Sequence, residues 1–309
     1  MLALLLSLSS ALSRMTSFKR ARESVIRAEL REVVHAFLSR SNYQSPNTPH
    51  DLELRAKIAA EIDRWSLDID PNMVSKMVET SCSYTETAYA HTSPEHRSYI
   101  ALYTACMLYG EDVGSQDPDA VSEFARRLVR GERQVHPIFD RLADLLKDAH
   151  VYWTDVGADA VITGTVDALS ATHIEFATSG MRIAPSATRY PWYLRTRAGG
   201  GPQYTHFMFM RSWRETAETY LQILPLVTEL GTSLRDEEIA GETNNYVHLR
   251  AAAEQIPPIE VLRQLTRRIE KVIGDDDELA LLWQRYLQSY LEFSIRTPRY
   301  RLAELGVSP

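Results

Sequence analysis

Apolar residues return at helical spacing along almost the whole chain, and this periodicity constrains the fold more than any other feature. Between Arg20 and Arg40 they fall at Ile26, Leu30, Val33, Val34 and Phe37, the stripe that lets one face of a helix bury against a neighbour. Asn and Pro in the stretch from Ser39 to Asp51 break that run. The helical period resumes from Leu52 to Trp65, and Asp70-Pro71 opens another element. The same reading predicts helices over Pro71 to Ala90, Pro94 to Tyr109, Ala120 to Arg130, Pro137 to Ala149, Trp213 to Glu238, Pro258 to Ile273 and Glu278 to Phe293. An all-α chain follows. Val151 to Leu169 is rich in β-branched residues, but its apolar positions do not strictly alternate and the chain offers no strands to pair with, so it too reads as helix. PQYTHF, after Gly199-Gly200-Gly201, reads as a flexible loop.

With 309 residues, 44% of them hydrophobic, the chain can bury a substantial core, and a single domain beginning near Ser17 is expected. Residues 1–16 read as a frayed or mis-started segment, since the apolar run Leu2 to Leu12 has no basic stretch before it. No stretch approaches the roughly 20 apolar residues of a membrane span, so stable membrane insertion is not expected. A formal charge of −7 gives no electrostatic reason to approach phosphate backbones, which argues against nucleic acid as a partner. Cys82 and Cys106 have neither metal-ligand nor disulfide spacing, which fits a reducing cytoplasm.

Four groups of residues could carry chemistry. The apolar run from Tyr99 turns abruptly acidic at Glu111 and Asp112, at what should be a helix C-terminus. Carboxylates are disfavoured there by the helix dipole, so a bound cation explains them, with a solvated loop as the alternative. Thr228, Thr232 and Asp236 stand at i, i+4 and i+8. They form either an oxygen-rich stripe suited to Mg²⁺ or a polar solvent face. Arg235 beside them is a surface ion-pair member or a phosphate contact. Arg299 and Tyr300 follow the last long apolar helix, and both donate to phosphate oxygens, the guanidinium as a planar fork. Arg195 lies between an aromatic cluster and a glycine run that lets backbone approach a ligand closely. GDDDEL, from Gly274 to Leu279, reads as acidic capping of the helix it precedes.

In this order and spacing, from about Asp70 to Leu305, the pieces resemble the trichodiene synthase family of class I terpene cyclases. The aspartate-rich motif of that family reads here Glu111-Asp112-Val113-Gly114-Ser115, followed by GERQVHP from Gly131 to Pro137. By the resemblance, its Asn/Ser/Glu metal triad falls on Thr228, Thr232 and Asp236, and its basic diphosphate-binding residue on Arg235. Its diphosphate-sensing Arg falls on Arg195 and its C-terminal Arg-Tyr pair on Arg299 and Tyr300, the most specific of these matches. Asn244 or Asn245 cannot supply the triad instead, because their i+4 and i+8 positions are His248 and Ala252, or Leu249 and Ala253.

The resemblance implies an all-α class I terpenoid synthase bundle around an apolar cavity. It further implies Mg²⁺ as cofactor, farnesyl diphosphate as substrate and a cyclised sesquiterpene as product, and it leaves room for a homodimer. Glu111, Asp112, Thr228, Thr232 and Asp236 would hold metal. Arg195, Arg235, Arg299 and Tyr300 would hold diphosphate, and Tyr290 and Phe293 would offer aromatic faces to a carbocation, core packing being their other reading. The chain departs from the family pattern at Glu111, Ser115 and Thr228, and carries Met73 where the family has Arg, with Lys76 the nearest cation. A protein of the same fold that binds isoprenoid diphosphates without ionising them is the alternative.

Overall fold

The computed structural model describes residues 24–65, 68–112, 114–184, 186–198, 201–213, 246–268, 277–300 and 302–307, with isolated positions between 216 and 225. Among these residues there are helices and turns and no strand. Helix α1 covers 24–40. It is followed by α2 (Leu52–Arg64), α3 (Pro71–Ala88), α4 (Pro94–Asp112), α5 (Pro118–Arg130), α6 (Pro137–Tyr152) and α7 (Asp155–Ala177). Next come α8 (Tyr190–Ala198), α9 (Gly201–His206), α10 (Tyr246–Glu254), α11 (Pro258–Arg268) and α12 (Asp277–Arg296).

The helix starts are local events. Asp51, Asp70 and Asp117 each accept a bond from a first-turn N–H, at 2.9, 2.9 and 3.4 Å. Pro71, Pro118 and Pro137 occupy the first turn, where a missing N–H costs nothing. Gly131 closes α5 at φ 66°, the left-handed conformation that favours glycine.

Helix α4 is buried on every side from Ser98 to Gly110, as expected of a strut through the middle of a bundle. α3 packs on α4 and α12, while α7 packs on α5, α6, α8 and α9. The main core is aromatic: Tyr103, Trp153, Phe207, Trp283, Tyr286 and Tyr290 are each at most 2% exposed. Two small satellite cores join α10 to α11 and α1 to the C-terminal turn. No helix among the described residues is long and apolar enough to cross a membrane. Cys82 and Cys106 are buried free thiols, and burial pushes Cys82 up to about 12, so neither is a ready nucleophile.

Three expectations need correction. Val151 to Leu169 is helical but not one helix: α6 ends at Tyr152, Trp153 turns the chain, and Thr154 caps α7. The loop expected at PQYTHF is helix α9, because Tyr204 and Phe207 bury against the core at 5% and 0% exposure and burial overrides the glycine run before them. Trp213 lies in a turn and not at a helix start. Most of the run then expected to be helical, with residues 1–16 and 274–276, lies outside the described residues.

Burial also sets a pH dependence. Desolvation pushes the His206 imidazole down to about 4 from an ordinary 6.5, and the ring is 5% exposed with its Nδ1 lacking a hydrogen-bond partner. Below about pH 6.5 the unfolded chain takes up a proton that the folded one resists. Stability is therefore full above that pH and falls as pH drops toward 4, by up to about 3 kcal/mol if the whole shift is realised. His206→Leu is expected to flatten this slope in urea melts at pH 7 and pH 4.5. An unchanged slope would assign it to His91, His96 and His136, which burial also pushes down.

Candidate active site

The acidic motif ends a buried helix. Glu111 and Asp112 are the last two residues of α4 and both are half-buried. Their position is fixed by the turn that follows. A Cβ on Gly114 would collide with the Gly110 carbonyl oxygen and stand 2.7 Å from Val121 Cγ2 and 3.0 Å from Phe176 Cε2. Only glycine lets α4 end this close to α5 and α7. Gly114→Ala is expected to cost about 1–3 kcal/mol in a urea melt, because a backbone oxygen cannot yield as a side chain can. It should also displace the two carboxylates. Unchanged stability would mean that the turn is not tightly packed.

Asp112 faces a cavity of about 1150 Å³ walled by α3, the end of α4 and the C-terminal end of α12. Met77, Leu108 and Phe293 supply its apolar lining, and Lys76, Thr80, Thr297 and Pro298 stand among its other residues. Most charges in this wall are committed to one another. Arg296 donates to the Thr48 carbonyl at 2.6 Å and pairs with the fully buried Glu292 at 3.0 Å. Glu86, with 3% of its side chain exposed, accepts Arg55 Nε and Nη2 at 2.7 and 2.8 Å and the Asp51 N–H at 3.0 Å. Arg55 also pairs with Glu79. These carboxylates hold Arg55 above the ordinary guanidinium range, against the opposing effect of burial.

Behind Phe293 the wall continues as aromatic rings. Phe293 lies 4.8 Å from Tyr84, 6.4 Å from Tyr290 and, edge-on, 5.8 Å from Tyr300. Tyr84 in turn meets Tyr89 and Tyr204 edge-on, each at 5.4 Å. The Tyr89 hydroxyl donates to the Tyr204 carbonyl at 2.7 Å. The Tyr84 hydroxyl stands 3.3 Å from that of Tyr89 and 3.4 Å from that of Tyr286. Burial raises the Tyr89 phenol well above its ordinary value, so it stays neutral. Neutral rings beside the apolar part of the cavity wall can stabilise a cation without trapping it.

The structure therefore brings together Asp112 and Phe293 in the cavity wall, Glu111 beside Asp112, and Tyr300 against Phe293. Arg299 follows Pro298 in the turn Pro298–Tyr300. Tyr290 is 2% exposed, one layer behind the wall. Arg195 is half-buried on α8 and does not line this cavity. Thr228, Thr232, Arg235 and Asp236 lie outside the described residues. No three His, Cys, Asp or Glu side chains cluster as a metal site among the described residues. Sequence reasoning missed Thr80, Tyr84 and Thr297, whose roles depend on contacts between distant helices.

Residues 52–236 match the family described as trichodiene synthase (TRI5). Among curated proteins, the chain is 22% identical to alpha-cuprenene synthase COP6 of Coprinopsis cinerea, over 90% of each sequence. It is 26% identical to terpene synthase 29 of Postia placenta, over 89% of this chain and 84% of that protein. It is 25% identical to longiborneol synthase CLM1 of Gibberella zeae, over 73% and 72%.

Proposed function

The chain belongs to the trichodiene synthase family, and from that premise we propose that it ionises farnesyl diphosphate with Mg²⁺ and closes the resulting cation into a sesquiterpene. The observation that carries this reading is the cavity itself, where Asp112 shares a wall with the apolar patch of Met77, Leu108 and Phe293, and Tyr84 packs against Phe293. Relatives named as synthases of alpha-cuprenene and longiborneol support the reaction class.

The residues present fit a hard cation. Two adjacent carboxylates at a helix C-terminus repel each other and the dipole, and their oxygens suit Mg²⁺, which fills the rest of its shell with phosphate and water. Glu111 and Asp112, with Thr228, Thr232 and Asp236, would hold it. When bound, Mg²⁺ would supply Lewis-acid neutralisation of the charge that develops on the departing diphosphate.

The chain's own groups do the rest. Arg299 and Tyr300, with Arg235 by the family pattern, would donate to the diphosphate oxygens, while Arg195 on α8 stands outside this cavity's wall and would act only from beyond it; charge-assisted bonds of this kind strengthen as water is excluded. Met77, Leu108 and Phe293 exclude water from the allylic chain, and the Phe293 ring offers its negative face to the cation, with Tyr290 packed one layer behind it.

Release of inorganic diphosphate from farnesyl diphosphate tests the reading. Release that needs Mg²⁺ and stops with EDTA is expected. Binding of the ester with no release would instead favour the non-ionising binder to which Ser115 and Thr228 point.

A further inference from the structure

Several buried hydroxyls on the helices of this protein fold back onto their own helix. Thr85, Thr87, Thr165 and Ser294 each donate to the carbonyl four residues earlier, at 2.6 to 2.9 Å. Thr297 does not. Its backbone N–H donates to the Phe293 carbonyl at 2.9 Å, so the i−4 acceptor is in place, yet its hydroxyl has no hydrogen-bond partner. The residue is 7% exposed and lines the cavity, and an unmet buried hydroxyl carries a desolvation cost that a ligand oxygen would recover.

Lys76, an exposed residue on α3, lines the same cavity. Arg296 is engaged by Glu292, and Glu79 and Glu86 by Arg55. His50, in the same wall, pairs with Glu86 at 3.2 Å. Lys76 forms no ion pair among the described residues, and of the basic side chains they place in this wall it is the one left to meet an anionic ligand.

We propose that Thr297 and Lys76 grip the diphosphate from the α3 and α12 side of the cavity, the hydroxyl as a directed donor and the ammonium as a point charge. The inference rests on the cyclase reading above. It places a donor immediately ahead of the Pro298–Tyr300 turn, so that the anion would be held between that turn and α3. It also gives the chain a cation on the helix where Met73 supplies none.

Calorimetric titration of inorganic diphosphate with Mg²⁺ into the full chain tests this. Thr297→Val and Lys76→Met are each expected to weaken binding about tenfold, the scale of one lost charge-assisted bond. Thr297→Ser should bind within about twofold of the parent, since it keeps the donor. The KM for farnesyl diphosphate should rise in step in the two weakened variants, with no fall in melting temperature, and Thr297→Val, which removes an unmet buried hydroxyl, should melt no lower than the parent. Parent-like binding by both Thr297→Val and Lys76→Met would overturn the pair. Should either substitution prevent folding, the other decides with Thr297→Ser, whose weakened binding would likewise count against a donor role. A parent protein that fails to bind diphosphate would overturn the cyclase reading and this inference with it.

Discussion

Asp112→Ala is expected to lower turnover by on the order of a hundredfold to a thousandfold, the scale seen when one preorganised stabiliser of developing charge is removed. Its effect on stability should stay within about 1 kcal/mol, because losing a carboxylate from the end of α4 relieves repulsion by the helix dipole. That split identifies the role. A carboxylate serving only to hold the fold would lose stability and activity together, whereas one that holds metal for the departing diphosphate loses activity alone. Raising Mg²⁺ should recover part of the rate in Asp112→Asn, which keeps an oxygen donor, and none in Asp112→Ala. Asp236→Ala is expected to behave like Asp112→Ala. Turnover with farnesyl diphosphate, followed beside a thermal melt, checks both, and an unchanged rate in Asp112→Ala would remove the acidic motif from the mechanism.

The largest expected loss of stability lies elsewhere in the same wall. Glu86→Ala should destabilise the protein by about 3 kcal/mol, toward the lower end of the range for breaking a buried ion pair. Glu86 takes two bonds from Arg55 and one from the Asp51 N–H while only 3% of its side chain is exposed. Its loss leaves the Arg55 guanidinium, 18% exposed, to Glu79 and Ser83. Those remaining partners keep the figure from the top of the range. Replacing both residues, as Arg55→Met with Glu86→Leu, should recover most of the loss, because an apolar pair of similar volume avoids desolvating two charges. Urea denaturation of the two single variants and the double variant measures this. A double variant as unstable as Glu86→Ala would show that the pair acts through the Asp51 backbone bond and not through its charge.

Much of the architecture was legible because its signals are local. Asp70-Pro71 reads as the start of a helix since a capping carboxylate and a residue without an N–H both belong at that point, and the structure places α3 there. Glu111 and Asp112 are conspicuous because charge follows a long apolar run, and they prove to be the end of a helix buried on every side from Ser98 to Gly110. Where burial against distant elements decides the outcome, the sequence misleads. Gly199-Gly200-Gly201 suggests a loop, yet Tyr204 and Phe207 find the aromatic core and draw α9 into a helix. The aromatic run from Tyr190 shows no helical stripe, and α8 is held by packing on α7 and α10.

The candidate site divides in the same way. The groups proposed to hold anion and metal stand out one residue at a time, as Asp112, Arg299 and Tyr300 do. Its walls do not, because periodicity shows that a helix face is buried but not what it is buried against. Nothing in the sequence joins Lys76 to Thr297, or Phe293 to Tyr84, although the packing of α3 on α12 brings the first pair to one cavity and the second into ring contact. Phe293 itself was legible through its place just ahead of the Arg-Tyr pair.

The central claim is that this cavity turns a linear diphosphate into a ring. Incubating the purified protein with Mg²⁺ and farnesyl diphosphate, and resolving the extract by gas chromatography with mass detection, tests it most directly. A cyclic fifteen-carbon product that disappears in Asp112→Ala is the expected result. A trace holding only farnesol, or the same products with and without the acidic motif, would contradict it.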